Sequence, residues 1–187
     1  MTPRRIVPGP ALLPAALLLA ALLNPAALQA QSAAPPAGAA SEAPAADTPQ
    51  AQADAAYARG DHPTALRIYR QLAERGDPIA QFNLGVMLDF GQGTAADAAQ
   101  AVAWYRRAAL QGHAAAQFNL GGMYLDGSGV SKDLVRAAMW FTLAATSGVP
   151  GAAKNRAAVR QMISAEQAAE ATRRASACQQ SGWRDCD

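Results

Sequence analysis

Ala80-Gln81-Phe82-Asn83-Leu84-Gly85 returns as Ala116-Gln117-Phe118-Asn119-Leu120-Gly121, a shift of 36 residues. Outward from this hexapeptide, the same shift pairs Trp104-Tyr105 with Trp140-Phe141 and Ala108-Ala109 with Ala144-Ala145. Gly76, Gly112 and Gly148 extend the pattern to three copies, as do Ala65, Ala101 and Ala137, and Ile68-Tyr69 sits one period before Trp104-Tyr105. A fixed period of this length marks a repeat architecture, in which each unit buries its apolar face only by stacking on its neighbours.

Each copy reads as two helices. In the second copy, Asp77 is placed to cap a helix that opens on Pro78 and runs to about Asp89. Gly91 and Gly93 mark the loop, because positive backbone angles cost little only for glycine. Asp97-Ala98-Ala99-Gln100 has the form of a capping box opening a second helix, which stops at Gly112. The third copy repeats the plan with Gly127 and Gly129 in the loop, Asp133 as cap and Gly148 as stop. Hydrophobic residues make up 51% of the chain but aromatics only 6%, and alanine dominates. Small side chains of this kind let helix axes approach closely.

Leu120-Gly121, Tyr124, Gly127, Gly129, Val130, Asp133, Ala137, Trp140, Phe141, Ala144, Ala145 and Gly148 together resemble the Sel1-like repeat, a relative of the tetratricopeptide repeat with a longer inter-helix loop. The second copy departs only at Leu88, where the family prefers Tyr, and at Thr94, where it prefers Val. The first copy lacks the long loop, since Tyr57-Ala58-Arg59-Gly60-Asp61 passes almost directly into its second helix. It resembles a tetratricopeptide unit or a degenerate first repeat. The implied fold is all-α, a short right-handed α-solenoid of about eight helices. Its repeat domain is expected over 51–178: a degenerate repeat at 51–76, repeats at 77–112 and 113–148, and a capping helix pair at 149–178 opened by a capping box at Ser164-Ala165-Glu166-Gln167.

The segments outside the repeats carry their own signals. Arg4 and Arg5, an apolar run from Ala11 to Leu23, and the small-residue end Leu28-Gln29-Ala30 have the layout of a secretory signal peptide over 1–30, with cleavage after Ala30. The apolar run of 13 residues is short of the ~20 needed to cross a bilayer, so no stable membrane insertion is expected after cleavage. Residues 31–50 hold no aliphatic side chain larger than alanine and read as a disordered linker. Loss of Arg4 and Arg5 leaves 14 basic against 14 acidic residues, so the mature chain has no net charge to draw it to nucleic acid. The expected location is the periplasm or the exterior. There, Cys178 and Cys186 are expected to form a disulfide that pins the tail, 179–187, to the last helix.

Most of the signature has a packing reading. Leu84, Gly85, Leu120 and Gly121 are placed at the helix contact, and a side chain at either glycine would overpack it. Trp104 and Trp140 read as buried wedges, each worth about 3–5 kcal/mol on truncation to Ala. The resemblance implies one functional set. In tetratricopeptide-like folds the first helix of each pair lines the concave side, and an asparagine two positions before the glycine can bond a peptide backbone. Asn83 and Asn119 occupy that position, Asn155 falls one period later, and Phe82 and Phe118 stand beside them. A concave ladder of these five residues, gripping a protein or peptide partner, is one expectation; hydrogen bonds between neighbouring repeats are the other.

Catalytic signals are weak. His62 and His113 are the only histidines and read as exposed turn residues. No nucleophile elbow, Ser-x-x-Lys motif, nucleotide-binding glycine motif or metal-ligand spacing appears. The expectation is therefore a non-enzymatic binding adaptor with no cofactor and no metal. A cell-wall hydrolase or β-lactam-binding enzyme is the alternative.

Overall fold

The computed structural model describes residues 48–184 together with Cys186; the expected signal segment and residues 31–47 lie outside them. Among the described residues the chain is all-α. Eight helices follow one another: α1 Pro49–Ala58, α2 His62–Glu74, α3 Pro78–Phe90, α4 Ala98–Ala109, α5 Ala114–Asp126, α6 Leu134–Thr146, α7 Ala152–Arg160 and α8 Ala165–Gln180. The first begins two residues inside the stretch read as linker, because Thr48 caps it by accepting the Ala51 N–H. None of these helices is long and apolar enough to cross a membrane.

Each helix packs on the next from α1 through α7, and α8 returns to rest on α6. The helix starts follow from their caps. Asp77 accepts the N–H groups of Ile79 and Ala80, Asp97 that of Gln100, and Asp133 that of Arg136. The capping box expected at Asp97 is corrected. The Asp97 N–H donates instead to the Leu88 carbonyl at 2.8 Å, and the Gln100 amide donates to the Asp97 carboxylate. Asp133 donates likewise to the Tyr124 carbonyl, 36 residues on in both partners. That bond closes each long loop onto its own first helix, so no N–H remains for the box. At Ser164 no such loop competes, and the box with Gln167 forms in full.

The glycine contacts have a specific partner. A Cβ on Gly85 would lie 2.7 Å from the Tyr105 ring, and one on Gly121 would lie 2.9 Å from the Phe141 ring. Both rings are fully buried. The second glycine of each loop has a different role. Gly93 lies against the His62 carbonyl and Gly129 against that of Ala98, also 36 residues apart. Each long loop therefore seats its backbone on the start of the preceding repeat's second helix, where no side chain fits.

The two tryptophans differ, contrary to their equal place in the repeat. Trp140 is 1% exposed, whereas Trp104 is only partly buried. The reason is the closing helix. α6 carries α7 and α8 besides α5, while the main helix partners of α4 are α3 and α5. The outer face of α4 is left open, and Arg107 lies over the Trp104 ring at 4.3 Å.

Candidate functional site

The expected peptide-binding set is largely interior. Asn83 is 5% exposed and Asn119 0%, and Phe82 and Phe118 are buried with them; Asn155, on α7, is half-buried. Every residue from 80 to 88 and from 116 to 124 is buried, since α3 and α5 are each flanked by helices on two sides. Asn83 and Asn119 are therefore enclosed between neighbouring helices rather than standing on an open face. The Asn83 side chain lies near the Tyr69 hydroxyl of the preceding repeat, and that hydroxyl donates to Asp54 of α1 at 2.6 Å. Burial first, then the bond to Asp54, pushes Tyr69 ionisation far above the ordinary phenol range. Tyr105, one period after Tyr69, bonds a different position of its own first helix, its hydroxyl reaching Asp89 at 3.4 Å. In the third copy Phe141 and Leu125 replace the pair together, so neither partner is left without the other.

Gln81 and Gln117 are structural residues that the sequence reading passed over. The Gln81 amide donates to the Ala73 carbonyl and the Gln117 amide to that of Ala109, so each satisfies a helix-end carbonyl of the repeat before it. The available signal was their recurrence inside the hexapeptide itself. Both are buried, and a buried amide needs partners.

The histidines are not exposed turn residues as expected. His62 is half-buried, edge-on to Tyr57 at 5.2 Å. His113 holds the position that Asp77 holds one repeat earlier, and its Nδ1 accepts the Ala116 N–H to cap α5. Phe82 stacks on the ring at 4.7 Å. Burial lowers the His113 pKa below the usual value of 6.5, while nearby Asp77 opposes the shift. The unfolded chain takes up this proton first. Stability from His113 is thus full above about pH 6.5 and falls as pH drops through that value toward the lower folded one. Replacing His113 with Asn keeps a capping oxygen without titration, so the loss of stability between about pH 6.5 and 5 should shrink. Urea midpoints across that range check this; a slope equal to wild type would assign the acid sensitivity elsewhere.

A cleft of about 370 Å³ opens beside the start of α6, between Asp133 and Val135 and the exposed face of α8. The starts of α2 and α4 carry Gly93 and Gly129, whereas the start of α6 has no long loop on it. Three of the charges lining the cleft pair with one another: Arg173 and Arg174 both bond Glu170, at 2.5 and 2.6 Å. Those arginines, Arg174 foremost, hold the Glu170 carboxyl below its ordinary value. Among the described residues no three His, Cys, Asp or Glu side chains gather in a group able to hold a metal.

The expected disulfide is present between Cys178 and Cys186. Cys178 continues the buried stripe of Ala168, Ala171 and Ala175 along α8. Beyond it the chain turns back, and the Trp183 indole lies against Gly112 between α4 and α5. The tail is thus pinned to the second repeat as well as to the last helix.

The Sel1 repeat model matches the chain three times, at 49–77, 78–113 and 114–149, which brings the short first copy into the family with the other two. The fold is similar to the crystal structure of a protective antigen of uropathogenic Escherichia coli displaying an SLR fold, at 34% identity and a TM-score of 0.66. That match covers 73% of this chain and 32% of the antigen, so the chain spans about a third of that relative's length. A Sel1 repeat protein from Oxalobacter formigenes is similar at 37% identity and a TM-score of 0.53, over 58% of this chain and 84% of that one. No curated protein matches the sequence. Three matched repeats and eight helices stacked in their order place the chain in the Sel1 repeat family.

Proposed function

We propose that the chain is an exported scaffold that binds a protein or peptide partner in the periplasm or outside the cell and performs no chemistry of its own. The carrying observation is the open outer face of α4. There Trp104 stays partly exposed beneath Arg107, while its counterpart Trp140 is covered. Tryptophan and arginine are the residue types that most often anchor protein interfaces. Arg67 and Arg70 are exposed on α2 at the positions equivalent to Ala103 and Arg106 of α4, which suits a partner with acidic groups. In this reading the partner meets the outer face, and the asparagines serve the interior.

Export is supported by Arg4 and Arg5, the short apolar run and Leu28-Gln29-Ala30. A photoreactive residue at exposed Ala103, introduced in cells, should give a discrete cross-linked protein. Trp104→Ala combined with Arg107→Ala should remove that adduct, and a probe at exposed Ala157 on α7 should not form it. An adduct indifferent to the double change would sink the assignment of the surface. Amino-terminal sequencing of the extracytoplasmic protein should begin at Gln31; an intact chain confined to the cytosol would sink export.

A further inference from the structure

Gly76, Gly112 and Gly148 hold equivalent turns with φ of +96°, +80° and +76°. A Cβ at Gly76 or Gly148 would meet nothing within 4 Å, but one at Gly112 would lie 3.1 Å from the Trp183 indole. Only the middle turn is therefore covered, and the cover comes from the chain's own tail. Trp183 is the one non-glycine residue with a left-handed backbone among those described, at φ +70°. A bulky side chain occupies that region only where its surroundings hold it. Two restraints are present. The indole is partly buried against the core, and the bridge from Cys178 to Cys186 closes the chain around it.

We propose that Trp183 and the Cys178–Cys186 bridge form a redox-released strap, which ties the last helix to the junction between the second and third repeats. With the bridge closed, the tail holds the indole on Gly112. With it open, the left-handed turn at Trp183 relaxes, the indole withdraws, and the end of α8 loses its hold on the α4–α5 turn. Opening needs a dithiol reductant. One of its thiolates attacks a bridge sulfur to form a mixed disulfide, and its second thiol releases that bond. Two electrons and two protons pass to the cysteines, and the reductant leaves as its own disulfide. Cys178 is 0% and Cys186 3% exposed, so the attacking thiolate reaches sulfur only after the loop lifts. The indole thus shields the bridge as the bridge positions the indole, and the coupling is reciprocal.

The test uses the full chain, treated with dithiothreitol and followed by thiol alkylation and intact mass. Trp183→Ala should speed reduction by about tenfold or more, because the loop then opens without undocking a side chain. A rate equal to wild type would overturn the shielding. Hydrogen exchange of oxidised and reduced wild type reads the other half of the strap. Amides from 110 to 114 should exchange about tenfold faster after reduction while those of α3 keep their protection. Unchanged exchange at the junction would overturn the strap. Uniform loss across all helices would also overturn it, by making the bridge a global staple. Cys186→Ala, with helicity checked by circular dichroism, should reproduce the reduced pattern without any reductant.

Discussion

Replacing Trp140 with Ala should destabilise the chain by about 3–5 kcal/mol, the range for a fully buried tryptophan. The same change at Trp104 should cost about 1–2 kcal/mol, for a partly buried ring and one cation–π contact with Arg107. The repeat makes the two residues equivalent, so the difference isolates what α8 adds by packing on α6. Deleting a ring that is 1% exposed leaves a cavity which closely packed neighbours cannot close. At Trp104 solvent fills the space, and the Arg107 stem can settle on the helix. Urea unfolding of both variants with unchanged m-values is the measurement. Equal costs would mean that the outer face of α4 is as tightly packed as that of α6.

Gly129→Ala should cost about 2–5 kcal/mol, against about 1–2 kcal/mol for Gly127→Ala. Both glycines are left-handed, at φ +69° and +75°, so both variants carry the strain of a Cβ in that region. They differ in what the Cβ would meet. At Gly127 the nearest atom is the Lys132 Cβ at 3.3 Å, on an exposed side chain. At Gly129 it is the Ala98 backbone at 2.3 Å, which can give way only if the loop or the start of α4 moves. The excess cost therefore reports the seating of one repeat's loop on the helix of the repeat before. Similar losses in both variants would show that this seating contributes little. A fall in m-value at Gly129 would show the loop detaching as a unit.

The parts of this molecule legible in its sequence are those set by local chemistry or by recurrence. Asp77, Asp97, Asp133 and Ser164 begin helices because a short polar side chain there reaches orphan N–H groups, whatever lies around it. Gly85 and Gly121 announce a close helix approach, because a missing side chain at one repeated position has few other uses. What escaped is what depends on which neighbour arrives. The ring against each of those glycines is Tyr105 or Phe141 rather than the adjacent tryptophan, a matter of helix rotation. Asn83 and Asn119 have the residue type and spacing of a peptide grip, yet lie interior because α3 and α5 are flanked on two sides.

The sequence by itself determined the all-α repeat, its period and the helix ends marked by Asp77, Asp97, Asp133 and Ser164. All of these follow from short-range caps or from a 36-residue recurrence. Only the tertiary structure decided which equivalent residues are equal in fact. Trp104 is open and Trp140 closed; Gly112 is covered and Gly76 and Gly148 are bare. Translational symmetry fails at the end of a short solenoid, where α8 and its tail fold back on units that would otherwise match. Burial depends on that return, and no residue's own identity records it.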